Sequence, residues 1–432
     1  MKKAIAALFL FVLIGIASAY IYHVYQTPSA SEGIDIHAAG DVAPDMMQDV
    51  GEAVRLFTSD AEKLGAPLLH HVDVYVAATP DDYIAVLTDP FGQSADDAAK
   101  IAEVSGGWTG GRKGLTALNG TAGVMDDRSD RKSTTAHELF HQLQFELAGG
   151  NDTDEAAIFW LEEGAADYVG ARIAEQANGK TLHKWELDTL YDLRMAESTV
   201  RPESLAHCTL AQRMTLMEQK YHTYQMADAM TIYLMQQQKG KEMASLLQYF
   251  RLLKEHPNGE EAFEQAFGLS YGSFLKKFRA WYDAELHHTA NLSFRARPGV
   301  SGGRAETLHD QALAVQPLLK ASFGQELRGR YDIIVCSGHD DYAAAIKEIC
   351  VVPKEKAAEL ADGSLWVNNG STIILQAGEL ADRRQQQYAM ATLMARLLRI
   401  QLAGRPEDHP DEALDGRFET FLQNYARQLA HG

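Results

Sequence analysis

The alternation of apolar and polar positions divides this chain into short strands and long helices. Residues 34–38 (IDIHA) and 70–78 (HHVDVYVAA) alternate with the two-residue period of half-buried strands. Between them, PDMMQDVGEAVRLFTSDAEKLG repeats its apolar residues at helical spacing; Asp45 follows Pro44 near its start and Gly65 stops it. TPDDYIAVLTD predicts a helix with Thr79 as N-cap and Pro80 at its first position. SGGWTGGRKGLTAL reads as a glycine-rich loop leading into an edge strand after Gly111. RKSTTAHELFHQL predicts a helix, and a mostly helical stretch runs from Ala156 to about His288. Residues 293–306 (SFRARPGVSGGRAE), rich in Gly, Pro and Arg, predict a linker. The order of elements predicts an α+β fold with a domain over 34–290 and a smaller α+β domain over 305–432.

The second part echoes the first. VYVAATPDDYIAVL (Val74–Leu87) aligns without gaps to IIVCSGHDDYAAAI (Ile333–Ile346), and Trp108 and Gly120 find counterparts in Trp366 and Gly378. The helix containing His137, Glu138 and His141 aligns to one carrying Met390, Ala391 and Met394. The expectation is a degenerate partial repeat that lost its polar residues.

The opening of the chain differs in kind. Two lysines precede an uninterrupted apolar run from Ala4 to about Tyr22, and Ala17–Ala19 (ASA) offers a cleavage site. Residues 1–25 are therefore read as a signal peptide or an N-terminal membrane anchor. Either places the body outside the cytoplasm, in the cell envelope, with possible inner-membrane attachment through residues 4–22. A net charge of −19 argues against a nucleic-acid partner. Three cysteines are too few for a disulfide scaffold; Cys336 and Cys350 are close enough in sequence to bridge, or all three are buried thiols.

Chemistry enters at TTAHELFHQLQ (Thr134–Gln144). Residues four apart share a helix face, so His137 and His141 can reach one metal ion, and Glu138 can reach a water on that ion as general base. The apolar residues Leu139, Phe140, Leu143 and Phe145 predict a largely buried helix, where unpartnered histidines would be costly. A catalytic zinc wants a third protein ligand and an open position. FWLEEGAADYVGARI supplies carboxylates about twenty residues on, with Glu163 the best candidate and Glu162 its nearest rival. Asp167, one turn after Glu163, can accept the second N–H of a ligating histidine.

HELFH followed by WLEEGAADY resembles the gluzincin peptidases, the superfamily of thermolysin and of the aminopeptidases related to leukotriene A4 hydrolase. The resemblance covers about Ile34 to His288, with specific motifs at those two points. It implies a zincin-like domain: a small mixed sheet with an active-site helix, then a helical subdomain. It also implies zinc (Zn2+) held by His137, His141 and Glu163, Glu138 as general base, and a peptide or protein substrate. Tyr224, with Tyr221 as substitute, would stabilise the transition state, and an extended peptide would add to the edge strand after Gly111. The G-x-M-E-N motif that grips the substrate's amino terminus in those aminopeptidases is absent, leaving an endopeptidase or an unusual substrate. The expectation is a zinc metallopeptidase; the alternative is a non-catalytic binding or envelope-maintenance protein on a retained peptidase scaffold.

Overall fold

A computed structural model describes residues 33–431 except 111–113, 151–156, 197, 220–221, 256–257 and 288–289. The chain is α+β and mostly helical, with two small mixed sheets. It divides into two compact units: residues 33–182, 201–213 and 230–275, and residues 183–200, 214–229 and 276–431. The apolar opening (1–25) lies outside the described residues, among which no helix is long and apolar enough to cross a membrane.

The first unit begins β1 (Ile34–Ala39), α1 (Pro44–Lys63), β2 (Val72–Ala77), α2 (Pro80–Thr88), α3 (Ala95–Val104), β3 (Gly107–Trp108) and β4 (Leu115–Asn119). The sheet order is β1-β2-β4-β3, with β3 antiparallel to β4 and the other pairs parallel. The alternating pattern of β1 places Ile34 and Ile36 in the core. Thr79 caps α2 reciprocally: its oxygen accepts from the Asp82 N–H and its hydroxyl donates to the Asp82 carboxylate. The segment after Gly111 is thus not an edge strand. β4 is internal, paired with β2 on one side and β3 on the other, which makes β3 the edge.

Two long helices follow, α4 (Arg128–Leu147) and α5 (Phe159–Gln176). Asp127 starts α4 by accepting from the N–H groups of Ser129 and Asp130. Asp49 on α1, fully buried, holds the same end through Arg128 at 2.7 Å and Arg131 at 3.3 Å. Farther along, the Gln142 amide donates to Leu115 O at 2.8 Å and accepts from Gly114 N–H at 2.9 Å, fastening α4 to β4. His70 is only 9% exposed, and Glu146 and Gln142 of α4 take up both its ring nitrogens. α4 and α5 approach so closely at Gly170 that an added Cβ would lie 2.6 Å from Ser133 O.

The chain continues through α6 (Leu182–Met195), α7 (Leu210–Glu218), α8 (Thr223–Gln237), α9 (Glu242–Leu253), α10 (Gly259–Phe267) and α11 (Tyr271–His287). Within the first unit, Trp160 of α5 stacks on Phe274 and donates its indole N–H to the Tyr271 hydroxyl at 3.0 Å.

The second unit holds β5 (Asn291–Ala296), α12 (Gly302–Phe323), β6 (Arg330–Cys336), α13 (His339–Ile349), α14 (Lys354–Gly363), β7 (Trp366–Asn369), β8 (Thr372–Gln376), α15 (Arg383–Ala403) and α16 (Glu412–His431). Its sheet order is β5-β6-β8-β7, again with only the last pair antiparallel. The expected linker over 293–306 is instead the end of β5 and the start of α12. Pairing with β6 and burial of Leu292 outweigh the Arg-rich composition, and the Gly-Pro signal covers only the turn between the two elements. Cys208, Cys336 and Cys350 are free thiols, so no bridge joins the latter two.

Candidate metal centre

One face of α4 meets one face of α5. His137, Glu138 and His141 come from the first helix and Glu163 and Asp167 from the second. His137 Nε2 and His141 Nε2 lie 3.0 Å apart, and each is 3.6 Å from Glu163 Oε2. Donors about 2.0–2.1 Å from a tetrahedral zinc would be separated by about 3.3 Å, so the three atoms already have nearly the spacing of three corners of such a shell.

The other ring nitrogens are occupied. His137 Nδ1 is 2.8 Å from Asp167 Oδ1, and His141 Nδ1 is 2.7 Å from Gln144 Oε1. Gln144 is itself oriented, donating its amide to Glu162 O at 2.8 Å. With Nδ1 of each ring as donor, both Nε2 atoms present lone pairs to each other. Two lone pairs at 3.0 Å repel unless a proton or a metal ion lies between them. The donor set of two imidazoles and a carboxylate suits zinc.

Charge in the metal-free cluster fits that picture. Burial works against protonation of His141, but Glu163, then Glu138 and Glu162, outweigh it and push its pKa up to about 10. Burial acts against ionisation of Glu163, yet His141, Arg213 and His137 hold it down at about 2. Burial also pushes the Glu138 carboxyl up, in part offset by both histidines and by Thr109.

Glu138 does not join the donor triangle. The Thr109 hydroxyl donates to its Oε2 at 2.6 Å, and it packs against Gly107 of β3 so tightly that a Cβ there would lie 2.7 Å from both its Cγ and its Oε1. Glu163 rather than Glu162 shares the triangle, and its second oxygen accepts from Arg213 Nη1 at 2.7 Å. Tyr224 is half-buried on α8 in a stretch belonging to the second unit, and Tyr221 lies outside the described residues.

Sequence reasoning missed Thr109, Gln144 and Arg213. Thr109 was hidden in a glycine-rich segment read as a loop, and Gln144 lies on the histidines' own helix face but one turn beyond the end of the five-residue motif. Arg213 sits 50 residues from its partner with no motif linking them.

A family model described as a protein of unknown function (DUF1570) matches residues 131–254, a span holding the donor triangle, Asp167 and Arg213. No curated protein matches the chain.

Proposed function

We propose that this chain is a zinc-dependent peptidase acting outside the cytoplasm, with a zincin-like catalytic domain in its first unit. The observation that carries the reading is the convergence of His137 Nε2, His141 Nε2 and Glu163 Oε2 beside a buried, separately held Glu138. When bound, zinc supplies a Lewis acid and an activated water. Glu138 would accept a proton at this site and hand it to the leaving amine; its raised pKa suits a group that must both accept and release. Thr109 keeps its Oε2 in place, leaving Oε1 as the working oxygen. Asp167 and Gln144 hold the two imidazoles in the tautomer that presents Nε2.

Substrate placement is read from β3. Gly106 O accepts from Asn119 N–H, so the next residue, Gly107, turns its own N–H and C=O toward the open edge. A peptide adding to that edge would pass beside Glu138, whose side chain lies against Gly107.

The second unit is read as a degenerate copy, and matched contacts support this. Tyr83 reaches the Ser105 hydroxyl at 3.0 Å and Tyr342 reaches that of Ser364 at 3.4 Å. Gly40 (φ 86°) and Gly299 (φ 91°) both leave the first strand of their sheet in the left-handed region. Asp127 and Asp382 both cap the long helix after the sheet. Counted from those caps, His137 and His141 fall opposite Thr392 and Arg396. Met390 and Met394, the counterparts in the sequence alignment, are core residues. Leu365 O accepts from Gln376 N–H as Gly106 O does from Asn119, which puts Trp366 where Gly107 stands. Trp366 is partly buried against the core cluster that holds Met390 and Met394.

The test is zinc content and hydrolysis of a quenched-fluorescence peptide pool by the purified protein. The expectation is about one zinc per chain, lost in His141→Ala, with hydrolysis abolished by chelator and restored by zinc. A folded protein that neither carries nor takes up zinc would overturn the reading. Zinc binding without hydrolysis would favour the non-catalytic alternative.

A further inference from the structure

A glutamate can offer a metal one oxygen or both, and its terminal torsion alone does not decide which. At Glu163 something else does. Arg213 Nη1 holds Oε1 at 2.7 Å, while Oε2 alone faces the two imidazole nitrogens. The guanidinium is fixed in turn. Its carbon lies 4.2 Å from the centroid of the Phe159 ring, and the side chain is only 9% exposed. Phe159 and Glu163 stand one turn apart on α5, so the planar guanidinium is stacked on one and hydrogen-bonded to the other.

We propose that Arg213 is a positioning residue that restricts Glu163 to a one-oxygen ligand and so keeps the fourth position of the metal free for water and substrate. The proposal rests on the zinc reading above. Arg213 acts by occupying Oε1: with that oxygen tied to α7, the carboxylate cannot rotate to present both oxygens. Lysine would keep the charge but not the stacked plane, and methionine would fill the space without holding Oε1.

The experiment uses the full chain in five forms: wild type, Arg213→Met, Arg213→Lys, Glu163→Gln and the Arg213→Met/Glu163→Gln double variant. Chelator competition gives the zinc Kd, and X-ray absorption at the zinc edge gives the oxygen and nitrogen shell. Wild type is expected to show a four-donor shell. Arg213→Met is expected to admit a second carboxylate oxygen and to weaken zinc at least about tenfold, the usual scale for losing a ligand's partner. Arg213→Lys should recover part of that loss. In the Glu163→Gln background, Arg213→Met should change the Kd less than about threefold, since the group it positions is gone. An equal loss in both backgrounds would mean that Arg213 acts through the fold, and an unchanged shell and Kd in Arg213→Met would mean that it does not act on the ligand; either overturns the proposal. A wild type that binds no zinc defeats the metal reading itself, before any variant is compared.

Discussion

Glu138 and its neighbours set the first expectations. Glu138→Gln keeps the size and the Thr109 contact but removes the base, so zinc content should be unchanged while kcat falls by about two to four orders of magnitude. Retained turnover would remove Glu138 from the reaction. The metal-free centre also predicts a pH dependence. His141 is raised from 6.5 to about 10, so its contribution to metal-free stability is complete below about 6.5 and is lost as pH rises through about 10. Glu163 is lowered from 4.5 to about 2, so its contribution is present above about 4.5 and is lost as pH falls toward 2. On the zinc reading, the metal competes with a proton at His141. The rise in Tm between chelator-treated and zinc-loaded protein should therefore be larger at pH 8.5 than at pH 6. Equal increments at both would show that no proton is displaced.

At the scale of elements, the centre depends on how α4 is held. Asp127→Ala removes the acceptor for two first-turn N–H groups and should cost about 1 kcal/mol in denaturant unfolding. Asp49→Ala should cost more, about 3 kcal/mol, because it leaves Arg131 and the end of α4 without their buried anion. If the two losses were equal, the buried anchor would be no stronger than an exposed cap. These elements also show what the sequence disclosed. The i, i+4 spacing of His137 and His141 is a local property of one helix, and Glu163 and Asp167 are one turn apart on another, so both faces could be read from letters. Asp49, Thr109 and Arg213 act across 79, 29 and 50 residues, where chain folding alone decides proximity. The end of β5 was read as a linker for a related reason: only pairing with β6 makes a strand of Ser293 and Arg295.

At the scale of the molecule, the three candidate metal donors lie in the first unit. Hydrogen exchange should show zinc-dependent protection in α4, α5 and the β3–β4 segment, with α15 and α16 unchanged; protection of α15 would place a donor where the degenerate-copy reading has none. The sheet that carries the centre ends in a strand only two residues long, Gly107–Trp108. A long exposed edge would invite any extended chain, including another copy of this protein, to stack and propagate. An edge this short offers an arriving peptide only a few main-chain bonds, too few to retain it by backbone alone. On the peptidase reading, discrimination among substrates therefore falls to what their side chains find on either side of that brief foothold.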